Sequence, residues 1–177
     1  MKSKMTEKTI SLIFAALFTA VISAVSQISF LLPTGIPLTF QIFAVALCGF
    51  VLGAKWGTAS TLAYIILGAV GVPVFSFLKG GLQNLFDVTG GFLIGFVVLT
   101  LLCGISKGKK TVVKILFGTV GLLICHIWGI VQFSLITQTG IIESFVVASL
   151  PYIIKDEILI ISSAFLSKFL EKHIKIN

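Results

Sequence analysis

Residues 9–54 read TISLIFAALFTAVISAVSQISFLLPTGIPLTFQIFAVALCGFVLGA, and none of them is charged. A hydrocarbon layer roughly 30 Å thick is crossed by about 20 helical residues, so this stretch is too long for one crossing and must be divided. Pro33 and Pro37, flanking Gly35 in PTGIP, cannot continue a helix without losing backbone hydrogen bonds. Spans are therefore predicted over about 10–32 and 38–53. Lys55 marks a tight turn, and a third short span runs over 56–72 to the edge of Pro73.

Hydrophobic residues make up 57% of the 177-residue chain and charged residues 11%, with a mean hydropathy of +1.15, which excludes a water-soluble globule. A net charge of +7 could suggest nucleic acid. All thirteen cations are lysines, however, and most stand between apolar runs, where positive charge sets membrane topology. Cys48, Cys103 and Cys125 are odd in number and embedded in apolar sequence, so they read as packing residues. The basic N-terminus lacks a small-residue cleavage site, and its apolar run reads as a retained span.

Residues 73–88, PVFSFLKGGLQNLFDV, carry Pro73, Gly80, Gly81 and several polar groups, so they form a loop or re-entrant segment. Further spans are predicted over 89–105, 112–136 and 144–170, six in all. With the N-terminus inside, the inner side receives Lys2, Lys4, Lys8, Lys55, Lys107, Lys109, Lys110, Lys114, Lys168, Lys172 and Lys175, and the outer side only Lys79, with Lys155 just inside the last helix. The expectation is an all-α, six-span, multi-pass protein of a prokaryotic plasma membrane, surrounded by lipid, with both termini cytoplasmic. Its outer surface would be PTGIPLTFQ, SFLKGGLQNLFD and TQTGIIES.

Lys155, Asp156 and Glu157 open the last span. Three charges at mid-membrane would cost roughly 8 to 10 kcal/mol, and the large apolar residues of that helix would offset only about half. Asp156 shares a stripe with Tyr152 and Ser163, which directs it into the bundle, where an ionisable group is a functional-site hypothesis. Lys155 and Glu157 lie about 100° to either side, so neither is expected to pair with Asp156; Lys155 would snorkel outward.

The segments IPLTFQIFAV (36–45), LGAVGVPVF (67–75), GGLQNLFDVTGGFLIGF (80–96) and PYIIKD (151–156) resemble the signature regions of the biotin-transport substrate-binding subunit family, BioY, the S component of energy-coupling-factor (ECF) vitamin transporters. The resemblance implies an ECF S-component-like bundle that captures biotin from outside. Its partners would be a transmembrane coupling subunit and a pair of cytoplasmic ATPases. The family's AxxxA docking motif matches Ala16 and Ala20, continued by Ala24; the family's biotin-contacting aspartate matches Asp156. The lysine common three residues later is Leu159 here, and the common GPTGG is DVTGG at 87–91.

Biotin offers two ureido N–H donors, a ureido oxygen, an apolar thioether ring and a carboxylate. Asp156 can accept the N–H groups, Asn84 or Gln83 can serve either edge, and Lys79 or Lys155 can face the carboxylate. Tyr152 or Trp128 could line the ring. Gln41, with Thr39, could belong to a lid or simply cap the second helix. The alanine stripe fits close packing in the bundle as well as docking. Gly49, Gly53 and Gly57 read as packing, and Gly90 and Gly91 as points of close approach. His126 could relay protons, but with His173 distant no metal site is predicted, and no cofactor. No phosphate loop, nucleophile elbow or HExxH pair is present, so the chain is not expected to be an enzyme, and ATP hydrolysis would fall to its partners. Alternatives are the same role for another ring-bearing acid such as lipoate, or a membrane scaffold without a ligand.

Overall fold

The computed structural model describes residues 2–31 and 36–173, with side chains from residue 7 onward. Pro33 to Gly35 of the predicted turn, Lys175, and the side chains of Lys2 and Lys4 lie outside the described residues. Helix α1 (Lys2–Ser26) is followed by a two-stranded antiparallel hairpin, β1 (Ser29–Leu31) and β2 (Pro37–Thr39), with Ser29 opposite Thr39 and Leu31 opposite Pro37. Then come α2 (Gln41–Ala69), two short 3-10 turns (Ser76–Leu78 and Leu82–Leu85), α3 (Gly90–Ile105), α4 (Thr111–Thr137), α5 (Ile141–Ala148) and α6 (Leu150–His173). The predicted first and second spans are thus trimmed, because residues 29–31 and 37–39 exchange strand hydrogen bonds instead of continuing helices.

Segment α2 is two helices. Gly53 has φ 82° and ψ 175°, a backbone that only glycine adopts cheaply. Gln41 Nε2 donates to Tyr64 Oη at 2.7 Å, although a straight helix would hold these residues about 35 Å apart. The arms, α2a (41–52) and α2b (54–69), therefore form a hairpin, and the turn sits at Gly53 instead of at Lys55. Gly53 was expected to serve packing alone; its left-handed backbone makes it the hinge of the turn. The crossings are then α1, α2a, α2b, α3, α4 and α6. The predicted sixth span is divided at Ser149, since Pro151 has no N–H and its ring would strike the carbonyl of residue 147 in a continuous helix.

Arm α2a is buried on nearly every side, which requires its all-round apolar sequence AVALCGFVL. The other helices surround it at close range. A Cβ on Gly49 would lie 2.5 Å from the Thr100 carbonyl oxygen, and one on Gly57 only 3.0 Å from Gly49 Cα. Hydrogen bonds between helices, Thr61 to Thr100 at 2.9 Å and Thr19 to Ser60 at 3.1 Å, replace what hydrophobicity cannot supply among lipid tails.

The crossings alternate in direction. The C-terminal ends of α1 and α2b and the N-terminal ends of α2a, α3 and α6 meet at one end of the bundle. The start of α1, the end of α6, the Gly53 turn and the 106–110 connection lie at the other end, with most of the described lysines. There Lys114, 1% exposed, pairs with Glu171 at 2.8 Å and donates to Ser167 Oγ at 2.9 Å.

Candidate functional site

The end of the bundle away from the Gly53 turn holds a cavity with about 110 Å³ open to the centre of a water molecule. The β-hairpin, the 75–89 loop, α3, α4 and α6 contribute its walls. Six residues singled out in the sequence, Gln41, Lys79, Asn84, Tyr152, Lys155 and Asp156, all line it, though they span 116 positions of chain. Trp128 does not; two positions from His126, it projects from the opposite side of α4 and is half exposed. Gln83 also stands outside, its side-chain amide turned back to the Gly80 carbonyl at 3.0 Å.

The α6 stripe runs inward: Tyr152, Asp156 and Ser163 are all buried. Two side chains of this helix clasp the hairpin. Tyr152 Oη donates to the Ile36 carbonyl at 2.8 Å, and Lys155 Nζ donates to that of Thr39 at 2.7 Å.

Lys155 corrects two expectations. It does not snorkel away, and its ammonium lies 2.6 Å from Asp156 Oδ1. Its flexible four-carbon stem sweeps across the 100° offset because the Thr39 carbonyl and the carboxylate together offer more than the interface does. This ammonium is the partner of the buried Oδ1, which makes no further hydrogen bond among the described residues. Glu157, by contrast, turns to α4 and accepts from Thr119 Oγ1 at 2.7 Å.

His126 stands beside this pair. Its Nδ1 is 2.7 Å from Ser149 Oγ, its Nε2 is 3.4 Å from Asp156 Oδ2, and its ring meets Phe92 edge to face at 5.7 Å. The sequence treated His126 as a relay or ligand without a place. The signal that would have placed it is an ionisable group inside a span, which is rarely there without a task.

The remaining polar groups differ in what they leave available. Gln41 is committed at both ends, to Tyr64 Oη and to Ser76 Oγ at 3.4 Å, so it lines the wall and does not cap α2a; its backbone N–H donates to Thr39 Oγ1 at 3.4 Å. Asn84 gives its amide N–H groups to the Gly80 and Gly81 carbonyls at 3.0 and 3.1 Å, which leaves Oδ1 as an acceptor without a partner among the described residues. Lys79 is exposed at the rim and has no ion pair among the described residues. Phe77 and Leu78, at φ 60° and 55°, hold the loop beside it in a left-handed turn. Gln27, at the end of α1, fastens that turn by bonds to the Val74 and Phe75 carbonyls and the Leu78 N–H. Residues 137–144, predicted as a third outer segment, contribute no wall.

Gly91 admits α4: a Cβ there would sit 2.4 Å from the Trp128 carbonyl oxygen, so close helix approach, not a ligand, explains it. Ala16, Ala20 and Ala24 are exposed on the outer face of α1, which removes the reading in which they pack inside the bundle.

A buried carboxylate and imidazole face a small cavity capped by loops, an arrangement of the kind that ligand pockets present. The family model described as BioY family matches residues 1–176. The chain belongs to the BioY family. The probable biotin transporter BioY of Pyrococcus horikoshii is 40% identical over 152 residues, covering 86% of this chain and 89% of that protein. The biotin transporter BioY of Thermotoga maritima is 45% identical over 100 residues, 56% of this chain and 58% of that one. Among solved structures, the S-component for biotin from an ECF-type ABC transporter superposes with a TM-score of 0.85 at 22% identity, over 94% of this chain and 93% of the other. This BioY chain therefore has the S-component fold and is a multi-pass membrane protein.

Proposed function

We propose that the chain is the substrate-capturing subunit of a vitamin importer and that its ligand is biotin. The observation that carries this reading is the convergence of Asp156, Asn84, Tyr152, Lys155, Gln41 and Lys79 on one cavity. Asp156 Oδ1 and Asn84 Oδ1 accept the ureido N–H groups, Tyr152, Phe92 and Phe96 enclose the ring, and Lys79 meets the carboxylate at the rim. The lysine density at the opposite end of the bundle supports a cavity that opens outward and termini that are cytoplasmic.

The sequence contains no G-x-x-x-x-G-K-[ST] phosphate loop, and in this reading import against a gradient draws on a coupling subunit and a pair of cytoplasmic ATPases. The exposed Ala16, Ala20 and Ala24 face is the docking surface, because small side chains let a partner's helix approach the backbone. Leu159, which stands where the family commonly has lysine, is buried in the core, and Lys155 brings an ammonium to Asp156 from the other side. That replacement favours biotin over lipoate. Titration of the purified protein with both acids tests the reading: tight biotin binding is expected, and a preference for lipoate overturns the ligand. Failure to bind either acid, with no biotin co-purifying from cells, leaves the scaffold reading.

A further inference from the structure

We infer that His126 reads the ligand's ureido carbonyl by donating its Nε2–H to that oxygen; the inference rests on the biotin reading above. The tautomer follows from the surroundings. Asp156 Oδ2 lies 3.4 Å from Nε2, so a bare Nε2 lone pair would face a carboxylate, whereas an Nε2–H faces an acceptor. Ser149 Oγ, 2.7 Å from Nδ1, then donates to Nδ1 and holds the ring in that form.

The imidazole is 3% exposed, yet among the described residues Nε2 makes no hydrogen bond, with Asp156 Oδ2 no nearer than 3.4 Å, and Asp156 Oδ1 beside it has only the Lys155 ammonium. Buried donors and acceptors are rarely left so, because each forfeits the hydrogen bond that water would give it. Here an N–H that makes no hydrogen bond stands beside a carboxylate oxygen whose partner is the Lys155 ammonium and which can accept once more, both on the wall of a cavity. Their complement is an acceptor adjacent to a donor, which is the C=O and N–H edge of a cyclic urea. An acid with an apolar dithiolane ring has no such edge. His126 is thus a specificity residue, and Ser149 positions it.

The test uses the full chain purified in detergent and biotin carrying 13C at the ureido carbonyl. H126F keeps the ring's packing against Phe92 and removes both nitrogens; its biotin Kd is expected to rise about 10- to 100-fold, the scale of one lost buried hydrogen bond with its partner stranded. H126Q restores an N–H near the Nε2 position and is expected within about 3-fold of the parent. In isotope-edited infrared spectra, the bound carbonyl stretch should move toward its non-hydrogen-bonded frequency in H126F and return in H126Q. A parent-like Kd and an unmoved band in H126F overturn the inference, as does H126Q matching H126F in both readouts. A parent protein that does not bind biotin is a different result, since it refutes the proposed function itself.

Discussion

The Lys155 and Asp156 contact can be weighed by a double-mutant cycle. Their side chains are 24% and 7% exposed, and the charged atoms are 2.6 Å apart. Removing one partner of a buried pair strands the other charge at about 3 to 5 kcal/mol. The partial exposure of Lys155 and the polar cavity wall reduce that to about 2 to 3 kcal/mol here. Lys155→Met keeps the stem and deletes the charge; Asp156→Asn keeps the shape. Each alone should destabilise the protein by that amount, while the neutral double variant strands no charge. The double variant still loses the Lys155 bond to the Thr39 carbonyl and should cost about 2 to 3 kcal/mol against a sum of about 4 to 6 for the singles, a coupling energy of about 2 to 3 kcal/mol in unfolding curves in detergent without biotin. Biotin affinity should follow another pattern: Asp156→Asn weakens it about 10- to 100-fold through loss of a charge-assisted acceptor, and the double variant regains none of it. Additivity of the two stability changes within about 0.5 kcal/mol would refute the pair as an energetic unit.

Lys79→Ala should raise the biotin Kd about 3- to 10-fold, a modest effect because the ammonium is exposed, and leave the affinity for biotin amide unchanged; equal losses for both would dissociate Lys79 from the carboxylate. Gly53→Ala places a side chain at φ 82°, with Lys107 Cδ 3.1 Å from the new Cβ, and should cost about 1 to 2 kcal/mol of stability. Biotin affinity should be unaffected, since the turn lies at the opposite end of the bundle from the cavity. Ala20→Leu should leave biotin binding intact in detergent while lowering cellular uptake at least about tenfold, as a bulky side chain on a close helix contact would; parent-like uptake would remove the α1 stripe as the docking face.

The boundaries of α3 and α4 were legible because loops rich in Pro, Gly and Lys punctuate long apolar runs there. The Gly53 turn was read two residues late, since Lys55 is a visible charge whereas positive φ leaves no composition signal. The β-hairpin was missed because SFL and PLT are as apolar as the helices beside them, and only pairing distinguishes them. Asp156 was found by helical periodicity, which reports the direction of a Cβ. Lys155 was misdirected by the same rule, because its charge lies far beyond Cβ and follows acceptors contributed by a strand 116 residues earlier. His126 had no local partner in sequence; its two neighbours, Ser149 and Asp156, arrive only when α4 packs on α6.

On the proposed function, the distribution of charge along the cavity sets the direction in which biotin would enter. Its depth holds Asp156 and His126, both buried, with the carboxylate's charge already balanced by Lys155, so that end suits an uncharged polar ring. Its rim holds Lys79, exposed and without an ion pair among the described residues, which suits an anionic tail. Biotin bound ring-first satisfies both ends. Reversal would bring a second carboxylate against Asp156 while leaving the Nε2–H of His126 as the nearest compensating donor not already engaged. An acid with a purely apolar ring meets the opposite difficulty, because it would cover His126 Nε2 and give it no hydrogen bond, at about 1 to 3 kcal/mol, and would leave Asp156 Oδ1 with Lys155 alone. Polar atoms left waiting in a dry wall discriminate more sharply than any fit of methylene groups could.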